Sequence, residues 1–487
     1  MTPTLVLSVI AIYFAVLILI SFITGKNTDS KTFFTANRQS PWYLVAFGMI
    51  GASLSGVTFV SIPGWVASTQ FGYMQVVLGY LVGYLVIGTV LMPLYYKLNL
   101  TSIYEYLQQR FGFWSYKTGA FYFIISRIVG SSFRLFLVAG VLQFAVFRQL
   151  GVDFSVTVLV TIALIWIYTF RSGIKTIVWT DTLQTLFMIT AVVTVIYLIS
   201  QDLKLSVGDM ISAVESSEYS KVFFWDWKSG NNFFKQFFSG AFIAIVMTGL
   251  DQDMMQKNLT CKSIGEAQKN MFWFSIILVF VNLLFLTMGA LLYMYANANG
   301  IAIPEKSDDL FPLLALNHFT LFAGVVFLLG IIAAAYSSAD SALTALTTSF
   351  CVDFINFNPQ DDSPETQQKQ KKTRLMVHLS FSFILFLVII IFKQINNEAV
   401  ISSVFKAAGY TYGPLLGLYS FGLFTKMDIK DKWVPLVCII SPILSLLINN
   451  YSKELLGGYE FGFEILILNG AFTFVGLLML VKKKSRP

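Results

Sequence analysis

The sequence predicts an all-α, polytopic membrane protein with about 13 transmembrane helices. Hydrophobic residues fill 56% of the 487 positions and charged residues only 12%. That is about half the charge of an ordinary soluble chain, and too little to cover a water-facing surface of this size. Apolar runs of about twenty residues, the length that crosses the hydrocarbon, recur from end to end. Backbone in lipid must satisfy its own hydrogen bonds, which leaves helices or a closed barrel. Continuous runs, rather than short alternating ones, select helices.

Spans are expected near 3–24, 42–69, 73–97, 118–148, 152–170, 175–200, 233–256, 271–297, 315–354, 376–394, 400–424, 433–449 and 463–481. The stretches before the fourth span and within the ninth are too long for one straight crossing, so part of each lies outside the hydrocarbon. The N-terminus lacks the basic segment and small-residue cleavage site of a signal peptide, so the first span is read as retained. The connections on the C-terminal side hold 22 of the 33 Lys and Arg residues, against 8 on the opposite side. By the positive-inside rule the N-terminus is outside and the C-terminus cytoplasmic. The same bias explains the net charge of +7 without a nucleic-acid partner. The segment 202–232 reads as an external loop with room for a short helix, and the polar segment 356–372 as a mobile cytoplasmic loop.

Cys261, Cys351 and Cys438 have no disulfide or metal-ligand spacing. His318 and His378 form no cluster, and no hydrolase or nucleotide-binding motif is present. The chain does not read as an enzyme. Its chemistry lies in polar residues inside the spans, where each is a functional candidate by default.

The second span contains Gly48, Gly51, Ser53, Ser55, Gly56, Thr58, Ser61, Pro63 and Gly64. Pro63 lacks an N–H and clashes with the preceding turn, so this helix is expected to break. The seventh span is interrupted by Gly249, Asp251, Gln252 and Asp253. Two interrupted helices five spans apart point to inverted repeats around a midplane binding site. In the ninth span Ser337, Asp340, Ser341 and Thr344 follow i, i+3, i+4, i+7 and share one face. Oxygen ligands with one carboxylate suit a hard cation and no transition metal. Asp181 is a lone carboxylate about 9 Å in from the cytoplasmic end of its helix at 1.5 Å per residue. Uncompensated, it would protonate; a pair with Lys175 or Arg171 is the structural alternative. Arg127 and Arg134 lie two turns apart on the fourth span and call for carboxylates or an anionic solute.

Five segments, taken together and in order, resemble the sodium/solute symporter family, which includes sodium-coupled sugar, sialic acid, proline, iodide and vitamin carriers. They are NLTSIYEYLQQRFG (99–112), GIKTIVWTDTLQ (173–184), DQDMMQKNLTCKSIGEAQKN (251–270), SSADSALTALTTSF (337–350) and GYTYGPLLGLYSFGLF (409–424). The resemblance covers about residues 1–425 and implies a LeuT-like fold of two five-helix inverted repeats, 42–201 and 233–425. An extra N-terminal helix and loop (1–41) precede them, and two C-terminal helices (426–487) follow, all within one transmembrane domain.

It further implies sodium as the coupling ion and a small polar solute as cargo. The first sodium would be held by the carbonyls of Gly51, Leu54 and Ala334 and the hydroxyls of Ser337 and Ser338. Some members bind a second sodium through the Asp of the WTD motif, here Asp181, with Asp340 and Ser341 as further ligands. Asp340 stands where members often carry a hydroxyl residue. The solute pocket would draw on Ser55, Thr58, Arg127, Arg134, Asp251, Gln252 and Phe405. Thr58 and Phe405 replace Gln residues of the sugar carriers. An Arg on the fourth span resembles the carboxylate-binding Arg of the sialic acid carriers. Arg127 and Arg134 both compete for that role, and Arg134 lies deeper. The resulting expectation is a sodium-coupled importer of a small, carboxylated solute such as a sugar acid. A sodium/sugar symporter and a solute sensor of transporter fold are the alternatives.

Overall fold

The computed structural model describes residues 3–24, 38–100, 102–169, 174–357, 364–396 and 398–482. The described residues fold almost entirely into helices. These are α1 (Pro3–Thr24), α2 (Trp42–Ser53), α3 (Gly56–Thr69), α4 (Tyr73–Val86), α5 (Phe113–Leu142), α6 (Phe154–Thr169), α7 (Ile174–Asp202), α8 (Phe233–Ala244), α9 (Gln252–Asn258), α10 (Ile264–Ala298), α11 (Leu321–Ser349), α12 (Pro364–Ile395), α13 (Val400–Thr411), α14 (Gly413–Phe424), α15 (Val434–Asn450) and α16 (Ile465–Met479). Each expected span falls on helix. Among the described residues seven helices are long and apolar enough to cross a bilayer, and the bent pair Phe233–Gly249 and Gln252–Asn258 makes up to an eighth; five shorter apolar helices accompany them. Large apolar side chains such as Leu85, Phe121, Phe280 and Phe383 stand exposed around the periphery, as they must where lipid is the solvent.

Helix starts follow local chemistry. Asn232 accepts from the Phe234 and Lys235 N–H groups to open α8, Ser263 caps α10, and Thr320 caps α11, each satisfying donors that an N-terminus leaves orphaned. The segment 202–232 does hold a short helix, Val207–Ser216, fixed by a reciprocal capping box between Ser206 and Asp209. The extra length before the fourth span forms the short helix Glu105–Arg110. The expected loop 356–372 is corrected in part. Residues 358–363 lie outside the described residues, but α12 begins at Pro364 and carries 364–372 as helix. Gln and Lys are good helix formers and Pro is favoured in the first turn, so polarity alone misreads this stretch.

Close crossings position the interior. A Cβ on Gly79 would lie 2.0 Å from the Phe237 carbonyl oxygen, and one on Gly240 2.0 Å from that of Val76. Only glycine lets α4 and α8 meet backbone to backbone. Helix α7 packs along α2 and α11, α10 along α2 and α3, and α5 against α11, α12 and α13.

Candidate ion and solute site

The first break falls at Leu54 and Ser55, whose φ/ψ values (−86°, 75° and −71°, 177°) leave the helical region between α2 and α3. This corrects the expectation that Pro63 breaks the span. Pro63 sits inside α3, eight residues beyond the break, where neighbouring helices can accommodate the lost bond. The break is set instead by small residues pressed against neighbours. A Cβ on Gly48 would meet Asp181 Cβ at 3.2 Å, one on Gly51 would meet Thr185 Oγ1 at 2.2 Å, and one on Gly56 would meet Val138 Cγ2 of α5 at 2.9 Å, with Ala335 of α11 in ordinary contact at 3.7 Å. Helices α5, α7 and α11 therefore sit directly against the break. The Leu54 N–H donates to the Ile50 carbonyl (2.8 Å) and Phe59 N–H to that of Ser55 (3.1 Å). Among the described residues the carbonyls of Gly51 and Leu54 accept no such bond. Freed carbonyls are oxygen donors of the kind a hard cation takes.

The second break is built differently. A π-helical turn, Ile245–Gly249, ends at Leu250, and α9 departs at 71° to the preceding helix. Here the protein satisfies its own groups. Tyr95 Oη donates to the Gly249 carbonyl (2.9 Å) and Tyr104 Oη to that of Leu250 (3.0 Å). Asp251 caps α9, its Oδ1 accepting from the Asp253 and Met254 N–H groups (3.0 and 3.3 Å), while Tyr412 Oη donates to its Oδ2 (2.5 Å). Gln252 Oε1 accepts from the Ile103 N–H (3.0 Å). Asp251 and Gln252 are thus placed as structural groups of the break and do not line the central cavity.

That cavity, about 80 Å³ in volume, lies between the two breaks. It brings together the expected Ser55, Thr58, Arg127, Arg134 and Phe405 with Tyr73, Tyr80, Tyr84, Thr248 and Asn282. The Phe405 ring stacks on Tyr73 (centroids 6.3 Å apart, planes at 14°) and meets Phe463 edge-on at 5.0 Å, so Phe405 serves as an aromatic wall. Asn282 Nδ2 donates to the Leu278 carbonyl (2.7 Å), and its buried Oδ1 has no hydrogen-bond partner among the described residues. The two arginines part company. Arg127 is buried and ion-paired to Asp251 (3.7 Å) and, in closer contact, to Asp253. Arg134 is half-buried in the cavity lining and forms no ion pair among the described residues.

Asp181 and Ser337 meet, Ser337 Oγ donating to Asp181 Oδ1 at 2.7 Å. The other carboxylate oxygen lies 2.8 Å from Lys257 Nζ, with Asp181 0% and Lys257 1% exposed. The described partner of Asp181 is thus Lys257; of the basic residues weighed from sequence, Arg171 and the side chain of Lys175 lie outside the described residues. Ser338 Oγ donates to the Ala335 carbonyl (3.2 Å). Asp340 and Ser341 are buried further along α11, where the Ser341 N–H donates to Asp340 Oδ1 (2.6 Å).

Sequence reasoning missed Lys257, Asn282 and the tyrosines. Lys257 looked like a cytoplasmic basic residue, whereas every residue of α9 is buried. Tyr73, Tyr80 and Tyr84 lie at i, i+7 and i+11, one face of α4, a signal that was available.

Two interrupted helices closing on a cavity, with unsatisfied backbone carbonyls at one break, define a secondary transporter. A sequence profile of the sodium:solute symporter family matches residues 33–428, and the chain belongs to that family. The sodium/sialic acid symporter SiaT of Proteus mirabilis is 24% identical over 455 residues, covering 91% of this chain and 89% of the relative. The human sodium/iodide cotransporter is 22% identical over 409 residues, covering 82% and 62%. A solved substrate-bound, outward-open Na+-coupled sialic acid symporter superposes with a TM-score of 0.81 at 20% identity, covering 98% of both chains. It shares the fold.

Proposed function

We propose that the protein imports a small carboxylated solute, of the sugar-acid class, together with sodium by alternating access. The observation that carries the solute class is Arg134, a guanidinium in the lining of the central cavity that forms no ion pair among the described residues. A planar fork of donors in a partly desolvated cavity suits a carboxylate. Relatives named sodium/sialic acid symporters from Proteus mirabilis and Aliivibrio fischeri support the same class. A neutral sugar is less well matched, since Thr58 and Phe405 stand in place of amide side chains.

Sodium, as a transported substrate, binds between the first break and α11, held by the carbonyls of Gly51, Leu54 and Ala334 and the hydroxyls of Ser337 and Ser338. Coupling follows from chain connectivity. Ser55 and Thr58, which line the cavity, begin the half-helix that the break orients. Fixing the break thus shapes the solute site, and the coupling is reciprocal. The bundle carrying both broken helices then rocks against the remainder, the segments 42–201 and 233–425 acting as the two inverted repeats. The basic-residue bias places the N-terminus outside and the C-terminus in the cytoplasm of a cell membrane.

The test is uptake into proteoliposomes of labelled N-acetylneuraminic acid, other sugar acids, neutral sugars, amino acids and monocarboxylates, with and without an inward sodium gradient. Sodium-dependent uptake of a carboxylated member, lost in the double variant Ser337→Ala/Ser338→Ala, is expected. Uptake confined to neutral sugars, or driven by protons alone, overturns the reading.

A further inference from the structure

The Asp181–Lys257 pair is the feature that the transport scheme above leaves unused. Asp181, on α7, is the carboxylate that would anchor a second sodium beside Ser337. It is already met by a cation, with Lys257 Nζ at 2.8 Å from Oδ2 while Ser337 occupies Oδ1 at 2.7 Å. Both partners are sealed from solvent, and Lys257 Nζ has no other acceptor among the described residues. A second sodium at Asp181 would have to displace the ammonium or share its carboxylate, so the residues present do not fit that ion.

Lys257 also sits on α9, the half-helix beyond the second break, whereas Asp181 and Ser337 sit on α7 and α11. The pair therefore bridges an interrupted helix, expected to move, to helices packed together around the ion site.

We propose that Lys257 is a tethered cation that occupies the place of a second transported sodium, leaving one sodium per solute. The ammonium neutralises Asp181 when α9 is docked and withdraws with α9 when the site opens inward. The chain thereby keeps the charge that would otherwise be released to the cytoplasm. With a monoanionic solute the translocated charge is then zero. This rests on the sodium-symport reading, and its test separates the two.

The experiment is equilibrium binding of 22Na+ to purified protein in detergent, read as ions per chain. One ion is expected for the wild type, two for Lys257→Met, and one again for the double variant Asp181→Asn/Lys257→Met, in which both charges are gone. Two ions on the wild type, or a single ion on folded Lys257→Met, overturns the tethered-cation proposal while leaving sodium symport intact. No sodium on the wild type overturns the symport reading itself. If Lys257→Met alone does not survive purification, the wild type and the double variant decide: one ion on each supports the proposal, and two on either defeats it.

Discussion

Replacing Arg134 with Gln isolates the charge on which the solute class depends. The side chain lines the central cavity, and no carboxylate within salt-bridge range competes for it among the described residues. A charge-assisted pair with a solute carboxylate in such surroundings contributes about 2–3 kcal/mol, or about 30- to 150-fold in Kd. Gln keeps a hydrogen-bonding amide and removes the charge and the fork geometry. The assay is calorimetric titration of purified protein, in saturating sodium, with the transported acid and with its neutral methyl ester. The acid should weaken by that factor in Arg134→Gln, and the ester should bind wild type and variant alike. Arg134→Lys should recover part of the loss, since the charge remains without the planar fork. An equal loss for acid and ester, or no loss for either, would refute the reasoning.

Arg127→Gln should behave differently from Arg134→Gln. It strips the cation from two buried carboxylates, a change that costs about 3–5 kcal/mol, so the thermal midpoint should fall while acid-over-ester selectivity persists in the folded fraction. Gly240→Val should separate α4 from α8, because its Cβ would lie 2.0 Å from the Val76 carbonyl oxygen and 2.8 Å from its carbon, and backbone cannot yield; overpacking of this kind costs about 1–3 kcal/mol, whereas Gly130→Ala, inside α5 with nothing within 4 Å, should not lower the midpoint. Ser338→Ala should raise the sodium concentration for half-saturation about tenfold, the loss of about one hydrogen-bond equivalent, without changing sodium-free solute affinity. Asp308, in the connection between α10 and α11, accepts from the Val400 N–H (2.9 Å), and burial pushes its carboxyl from 3.8 up to about 6. A raised folded value means that its contribution to stability is full below pH 4 and is lost as pH rises through 6. Asp308→Asn should therefore flatten the stability difference between pH 4 and pH 7, a term of at most about 3 kcal/mol; an unchanged pH profile would assign the dependence elsewhere.

The fold was readable because lipid imposes long apolar runs, and the interrupted helices because Gly, Ser and Asp stand out against them. The place of the first break was not, since Pro63 is the loudest local signal while Gly48, Gly51 and Gly56 act through contacts with α5, α7 and α11. The family resemblance likewise implies Asp251 and Gln252 in the pocket. In the fold one caps α9 and the other holds Ile103. The Asp181–Lys257 pair joins residues 76 positions apart, a separation that no periodicity reveals. Arg134 could be separated from Arg127 only after Asp251 and Asp253 were seen on the latter.

Coupling between the two substrates is the central claim, and linkage tests it without reference to transport rates. The measurement is a pair of binding titrations on one preparation: solute affinity with and without saturating sodium, and sodium affinity with and without saturating solute. The account predicts that each tightens the other by the same factor, well above one, and that Ser338→Ala lowers both factors together. A factor of one in either direction would mean that the break shaped by Gly51 and Leu54 does not transmit sodium binding to Ser55 and Thr58, and the mechanism would be wrong.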